Sequence, residues 1–276
     1  MSAALRRASV LLASACGIVL GASCAEVGSG PDVPAAIELA PFPSPSVVLG
    51  DSLRTVEGVV APVKAIVRNL SGDVIANAAV RYLYADYARD SALGVDSLTG
   101  IVRALRATTG EARIAARTGS SLQILKSVIV TTRPDSMDSV GQSAPSLFTT
   151  TFPDTGRTGA NANTSPSLNA VVRHVDAGVA TTVNSWPVTF EIISPANPTN
   201  DTTKAVFLVD DAGRASTLDT TDAGGVAGRK VRVRALQFPA AGVTTDSVIV
   251  RASATYRGAV LKGAPVRIAL PVKRGS

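Results

Sequence analysis

The chain has 276 residues, a formal net charge of +6 and an aromatic content of 4%. Its Lys and Arg residues alternate along apolar segments and form no basic stripe with interleaved aromatics, so nothing points to nucleic acid. One histidine and two cysteines, Cys16 and Cys24, leave no zinc ligand set and no Cys–His pair in the body of the chain.

In chain order the first element is residues 1–24, MSAALRRASVLLASACGIVLGASC. Arg6 and Arg7 form a short basic region, a run of small and apolar residues continues to Leu20, and Gly21-Ala22-Ser23 precedes Cys24. This order reads as a secretory signal peptide. Its end resembles the lipidation site of bacterial lipoproteins, with Cys24 as the lipidated residue. The resemblance implies a membrane partner through that anchor. Two other cleavage points stay open: after Ala25, and before Cys16. Loss of Arg6 and Arg7 takes the charge from +6 to +4. After Leu20 no apolar run reaches the roughly 20 residues of a membrane-spanning helix.

Residues 25–35, AEVGSGPDVPA, read as a flexible tether. Residues 36–134 are rich in Val, Ala and Thr, whose branched or small side chains suit pleated strands. Val63, Ala65 and Val67 alternate with Lys64 and Arg68; Ala112, Ile114 and Ala116 alternate with Glu111 and Arg113. Residues 135–146 are expected to be a linker. A second strand-rich block, 147–273, is expected to open with a strand in Leu147–Phe152. There Val231, Val233 and Ala235 alternate, then Val248 to Ala254, then Val266 to Val272. Two-residue periodicity with one polar face predicts antiparallel sheets. Glycine-bearing turns separate the runs, as at Asn69–Asp73, Thr99-Gly100, Asp211–Gly213 and Arg257-Gly258. The fold class is all-β: two tandem sandwiches behind a signal segment, roughly 100 residues each being ordinary for that architecture.

The blocks echo each other. VKAIVRNLSGDVIANAAVRYLY, then VDSLTGIVRALRATTGEARIAAR, then KSVIV faces LNAVVRHVDAGVATTVNSWPVTFEII, then VDDAGRASTLDTTDAGGVAGRKVRVRA, then DSVIV. Pro187–Phe190, Asp211–Ala215 and Gly228–Val233 resemble the bacterial immunoglobulin-like modules of invasin- and intimin-type proteins. Val95–Val102 with Gly110–Ile114 is similar to a second bacterial Ig-like group. The resemblance covers nearly all of residues 36–273. It implies Ig-like sandwiches at the cell envelope or outside the cell, with a structural, spacer or adhesion role and no cofactor. One histidine and no cysteine beyond Cys24 supply no nucleophile–base pair, so no enzymatic activity is expected. Trp186, at a strand start, lacks the cysteine pair of antibody domains.

Candidate sites are few. Tyr82, Tyr84 and Tyr87 form the one aromatic cluster, the candidate contact for a protein or glycan partner. With the long 153–167 loop they define the alternative reading, a carbohydrate- or matrix-binding surface protein. Asp210 and Asp211 are weak calcium candidates, with Asp219 and Asp222 nearby; neighbours on a strand face opposite ways, so they make no ready acid–base pair. Asp135 and Asp138 are a further carboxylate pair. His174 lies in phase with Leu168, Ala170 and Val172 and reads as structural or surface-exposed. Asn69, Asn163 and Asn200 head Asn-x-Ser/Thr sequences, which matter only in a eukaryotic secretory route. No phosphate-binding glycine motif occurs.

Overall fold

The computed structural model describes residues 30–86, 91–108, 110–140, 147–149, 163–234 and 237–274. All regular elements among them are strands. The signal segment, Cys24 and Tyr87 lie outside the described residues.

The first sandwich is built from β1 (Ala36–Leu39), β2 (Ser46–Val48), β3 (Ala65–Arg68), β4 (Val80–Tyr84), β5 (Leu93–Val95), β6 (Val102–Ala104), β7 (Glu111–Thr118) and β8 (Leu122–Thr131). One sheet runs β2-β8-β7-β4; β1 pairs with β3 and β5 with β6. The alternation in β7 places Ala112, Ile114 and Ala116 inward, and all three are buried. They pack with Val47, Leu53, Val63, Tyr82, Val102 and Val128 in one core.

The second sandwich comprises β9 (Ser136–Ser139), β10 (Leu147–Thr149), β11 (Leu168–Asp176), β12 (Val179–Thr182), β13 (Pro187–Ser194), β14 (Val206–Val209), β15 (Leu218–Thr220), β16 (Val226–Val233), β17 (Thr245–Ser253), β18 (Thr255–Tyr256), β19 (Ala259–Val260) and β20 (Val266–Arg274). One sheet runs β10-β20-β17-β13-β15, the other β12-β11-β16-β14, with β9 also on β11. Val248, Val250, Ala252, Ile268, Leu270 and Val272 face a larger core shared with Leu168, Phe190 and Leu208. The protein is thus all-β, with two β-sandwiches in tandem.

The sequence repeat has a topological counterpart. An early strand pairs in parallel with the closing strand of each sandwich: β2 with β8, and β10 with β20. Residues 136–139 depart from the expectation of a linker. Ser136, Met137, Asp138 and Ser139 pair with Arg173, Val172, Val171 and Ala170 of β11, and Met137 is buried in the second core. Four residues of mostly polar composition carry too little periodicity to announce a strand; the single apolar Met137 holds it in place.

Candidate functional site

The two sandwiches meet at a built joint. Asp51 follows β2 in a turn whose backbone amide bonds to Val48 O, and its side chain is 6% exposed. Its Oδ2 accepts hydrogen bonds from Arg54 Nε at 2.9 Å, from the Tyr256 hydroxyl at 2.8 Å and from Arg257 Nε at 2.9 Å. Its Oδ1 accepts from Ser52 N at 2.8 Å and from a terminal nitrogen of Arg54 at 3.0 Å. Burial alone would raise the pKa of this carboxyl. Arg257, Arg54, the Ser52 amide and Tyr256 outweigh it and hold the group far below the usual carboxylate range. Burial, reinforced by Asp51, in turn raises the Tyr256 phenol.

Local sequence shapes both sides of the joint. Arg257 and Gly258 adopt φ values of 51° and 78°, closing the hairpin between β18 and β19. That turn presents Tyr256 and Arg257 toward Asp51. Opposite it, Gly58 stands at φ 87°, where a Cβ would lie 2.3 Å from the Arg257 carbonyl carbon. Glycine is needed here both for the left-handed backbone and for the close approach of the two backbone segments. Around this centre Thr255 Oγ1 donates to Val56 O at 3.0 Å, Ser46 Oγ to Ser185 O at 2.7 Å, and Thr131 Oγ1 to Asn184 Oδ1 at 2.9 Å. Trp186 packs edge-on against Tyr256, ring centroids 6.0 Å apart. Val48, from a strand of the first sandwich, sits in the core of the second. A cavity of about 70 Å³ remains between Ser44, Ser46, Trp186 and Tyr256.

Chemically the joint is a clamp. Every described donor around Asp51 is cationic, phenolic or amide, and the carboxylate stays ionised. It therefore has no proton to give and no lone pair to spare for a substrate.

The residues singled out in the sequence are dispersed by the fold. Tyr82 is 8% exposed and belongs to the first core, where its hydroxyl accepts the Ala65 amide at 3.0 Å. It is a core residue and cannot stack on a sugar. Tyr84 is half-buried against the same core and bonds to Asp86. Asp210 caps the turn to Arg214, bonding its amide and its guanidinium, while Asp211 pairs with Lys230 at 3.0 Å. Asp219 binds Arg229 and the Gly228 amide, and Asp222 binds the amides of Gly224 and Val226. Each carboxylate has its own partner, and no cluster fit to hold a metal occurs among the described residues. His174 Nδ1 lies 2.6 Å from Asp135 Oδ2, and Arg133 bonds the other oxygen of Asp135. Asp138 instead caps the Ser139 amide. The glycosylation-type asparagines are structural. Asn69 and Asn163 are buried, and Asn200 bonds both the amide and the carbonyl of Leu208, closing the outer edge of β14.

Sequence reading missed Asp51, Gly58 and Tyr256, and took Arg257 only as a turn residue beside Gly258. The one available signal was local: Asp51 and Arg54 stand three apart beside a glycine turn, an unremarkable pattern until Arg257 arrives from 206 positions away.

No family model matches the chain, and no curated protein matches it. Among solved structures it is similar to the S-layer protein rSbsC(31-844) at 10% identity and TM-score 0.30, covering 88% of this chain and 28% of that one. It is similar to the Yersinia pseudotuberculosis adhesin InvE at 14% identity and TM-score 0.32, covering 90% and 62%. It is also similar to EC1-2 of human Protocadherin-24 at 13% identity and TM-score 0.26, covering 88% and 99%. The chain spans less than two thirds of the S-layer and adhesin chains. Likeness at this level carries neither activity nor partner over to it.

Proposed function

We propose that this chain is a non-enzymatic spacer or adhesion module held at the bacterial envelope, with Cys24 as its lipid anchor. The observation that carries the reading is the joint. Two sandwiches fixed by a buried carboxylate, two guanidiniums and a phenol keep one relative orientation, which a spacer needs and an independent pair of binding domains does not. The chemistry of the described residues supports the non-enzymatic part. The single histidine is spent on Asp135, and the perturbed carboxylates are each occupied by backbone amides or arginines. Burial of Tyr82 removes the main support for the sugar-binding alternative.

Small-angle scattering of the full chain tests the joint. The wild type should fit one shape, and Asp51→Ala should broaden the ensemble; a wild type that already needs a broad ensemble would end the spacer reading. Labelled palmitate should enter the wild type and not Cys24→Ser; equal labelling of both would remove the anchor.

A further inference from the structure

The outward face of the β2-β8-β7-β4 sheet carries an uncompensated charge. Arg81 of β4 stands directly opposite Arg117 of β7, and Arg117 stands opposite Gln123 of β8. Both arginines are exposed. Neither forms an ion pair or a hydrogen bond with a described residue. Like charges facing across strands destabilise a sheet. The second sandwich contains the same juxtaposition and repairs it. There Arg251 faces Arg267, but the next residue in that row is Glu191, and its carboxylate binds Arg251. By strand order Arg81 of β4 stands where the second sandwich has Glu191 of β13, and the third member of its row, Gln123 of β8, is neutral, so the first row holds no carboxylate.

The adjacent row on the same face is apolar: Leu83, Ala115 and Leu125, paired in register across the three strands. Leu125 is 46% exposed, and Leu83 is half-buried. Two unneutralised guanidinium forks beside an aliphatic row match one kind of surface, a carboxylate flanked by an apolar side chain. We propose that this face docks an acidic segment of another protein that bears an aliphatic residue beside its carboxylate. The guanidiniums take the carboxylate, and the leucine row takes the aliphatic group. A polyanion without apolar groups would leave the leucines unused, which decides against a glycan. The proposal rests on the partner-binding half of the reading above and is independent of the joint, so its failure leaves the spacer intact.

The probe is a synthetic octapeptide of alternating leucine and glutamate, titrated against the full chain at low salt. A leucine–lysine octapeptide, polyglutamate and heparin serve as controls. The wild type should bind the leucine–glutamate peptide in preference to all three. Arg81→Gln with Arg117→Gln should weaken binding more than about tenfold. Leu83→Ser with Leu125→Ser should weaken it as well, while Arg267→Gln on the other sandwich should leave it unchanged. Arg117→Gln alone should raise Tm by about 1–3 °C, because it relieves the facing charges. The proposal is overturned if the wild type does not bind the peptide, or if the double arginine variant binds equally well. It also fails if heparin or polyglutamate binds as tightly as the peptide, which would make the face a general polyanion site. A fall in Tm for Arg117→Gln would show that the pair is structural and would equally sink it.

Discussion

Asp51 concentrates the energetics of the joint in one side chain. Four residues donate to it, two from each sandwich. Hydrogen bonds to a charged group are individually stronger than neutral ones, and removing one member of a buried network strands the rest. Asp51→Ala should therefore cost about 2–4 kcal/mol, read as a lower midpoint in urea. The pH dependence follows from the direction of the shift. The folded pKa lies below the unfolded one, so the contribution is complete above the unfolded value of about 4 and is lost as pH falls toward the folded value. Wild type and Asp51→Asn should differ clearly at pH 7 and converge as the solution is acidified. A gap that stays constant down to pH 2 would mean that the carboxylate charge contributes nothing. Tyr82 shows the same rule in a neutral group. Its ring fills the first core, and its hydroxyl is satisfied by the Ala65 amide, a partner that strand periodicity does not reveal.

At the scale of elements, periodicity did most of its work in the long strands. The inward sets of β7, β16, β17 and β20 are legible because a one-residue slip would turn every apolar side chain to water. Short elements escape that test. The strand β9 holds one buried residue, Met137, and β18 and β19 are two residues each. Turns divide in the same way, since a glycine can be seen in the sequence but its surroundings cannot. Gly58 and Gly72 have nearly equal φ, 87° and 88°, yet a Cβ on Gly72 meets nothing within 4 Å. Gly72→Ala should cost only the backbone strain, about 1 kcal/mol. Gly58→Ala adds a clash with the Arg257 backbone and should cost about 2–4 kcal/mol while loosening the joint. Equal midpoints for the two variants in chemical denaturation would contradict the close packing of the hairpins there.

For the whole molecule, the decisive strand is β2. Val47 and Val48 are neighbours on it, so their side chains point to opposite faces. Val47 enters the first core and Val48 the second. A strand with one residue in each core cannot leave one sandwich without disturbing the other. Together with the Asp51 clamp, this should make the pair unfold as one cooperative unit, which two independent domains would not do. The clamp is also self-sufficient electrostatically, because guanidiniums occupy the oxygens that a cation would need. Differential scanning calorimetry of the full chain should then show a single transition whose calorimetric and van't Hoff enthalpies agree, unmoved by EDTA or added calcium. Combining Asp51→Ala and Gly58→Ala with Val48→Ser removes the clamp, the hairpin contact and the shared core residue together, and should split that transition in two. Two resolved transitions in the wild type, or a rise in Tm on adding calcium, would show that the sandwiches are coupled less tightly, or by another agent, than Asp51 and Val48 require.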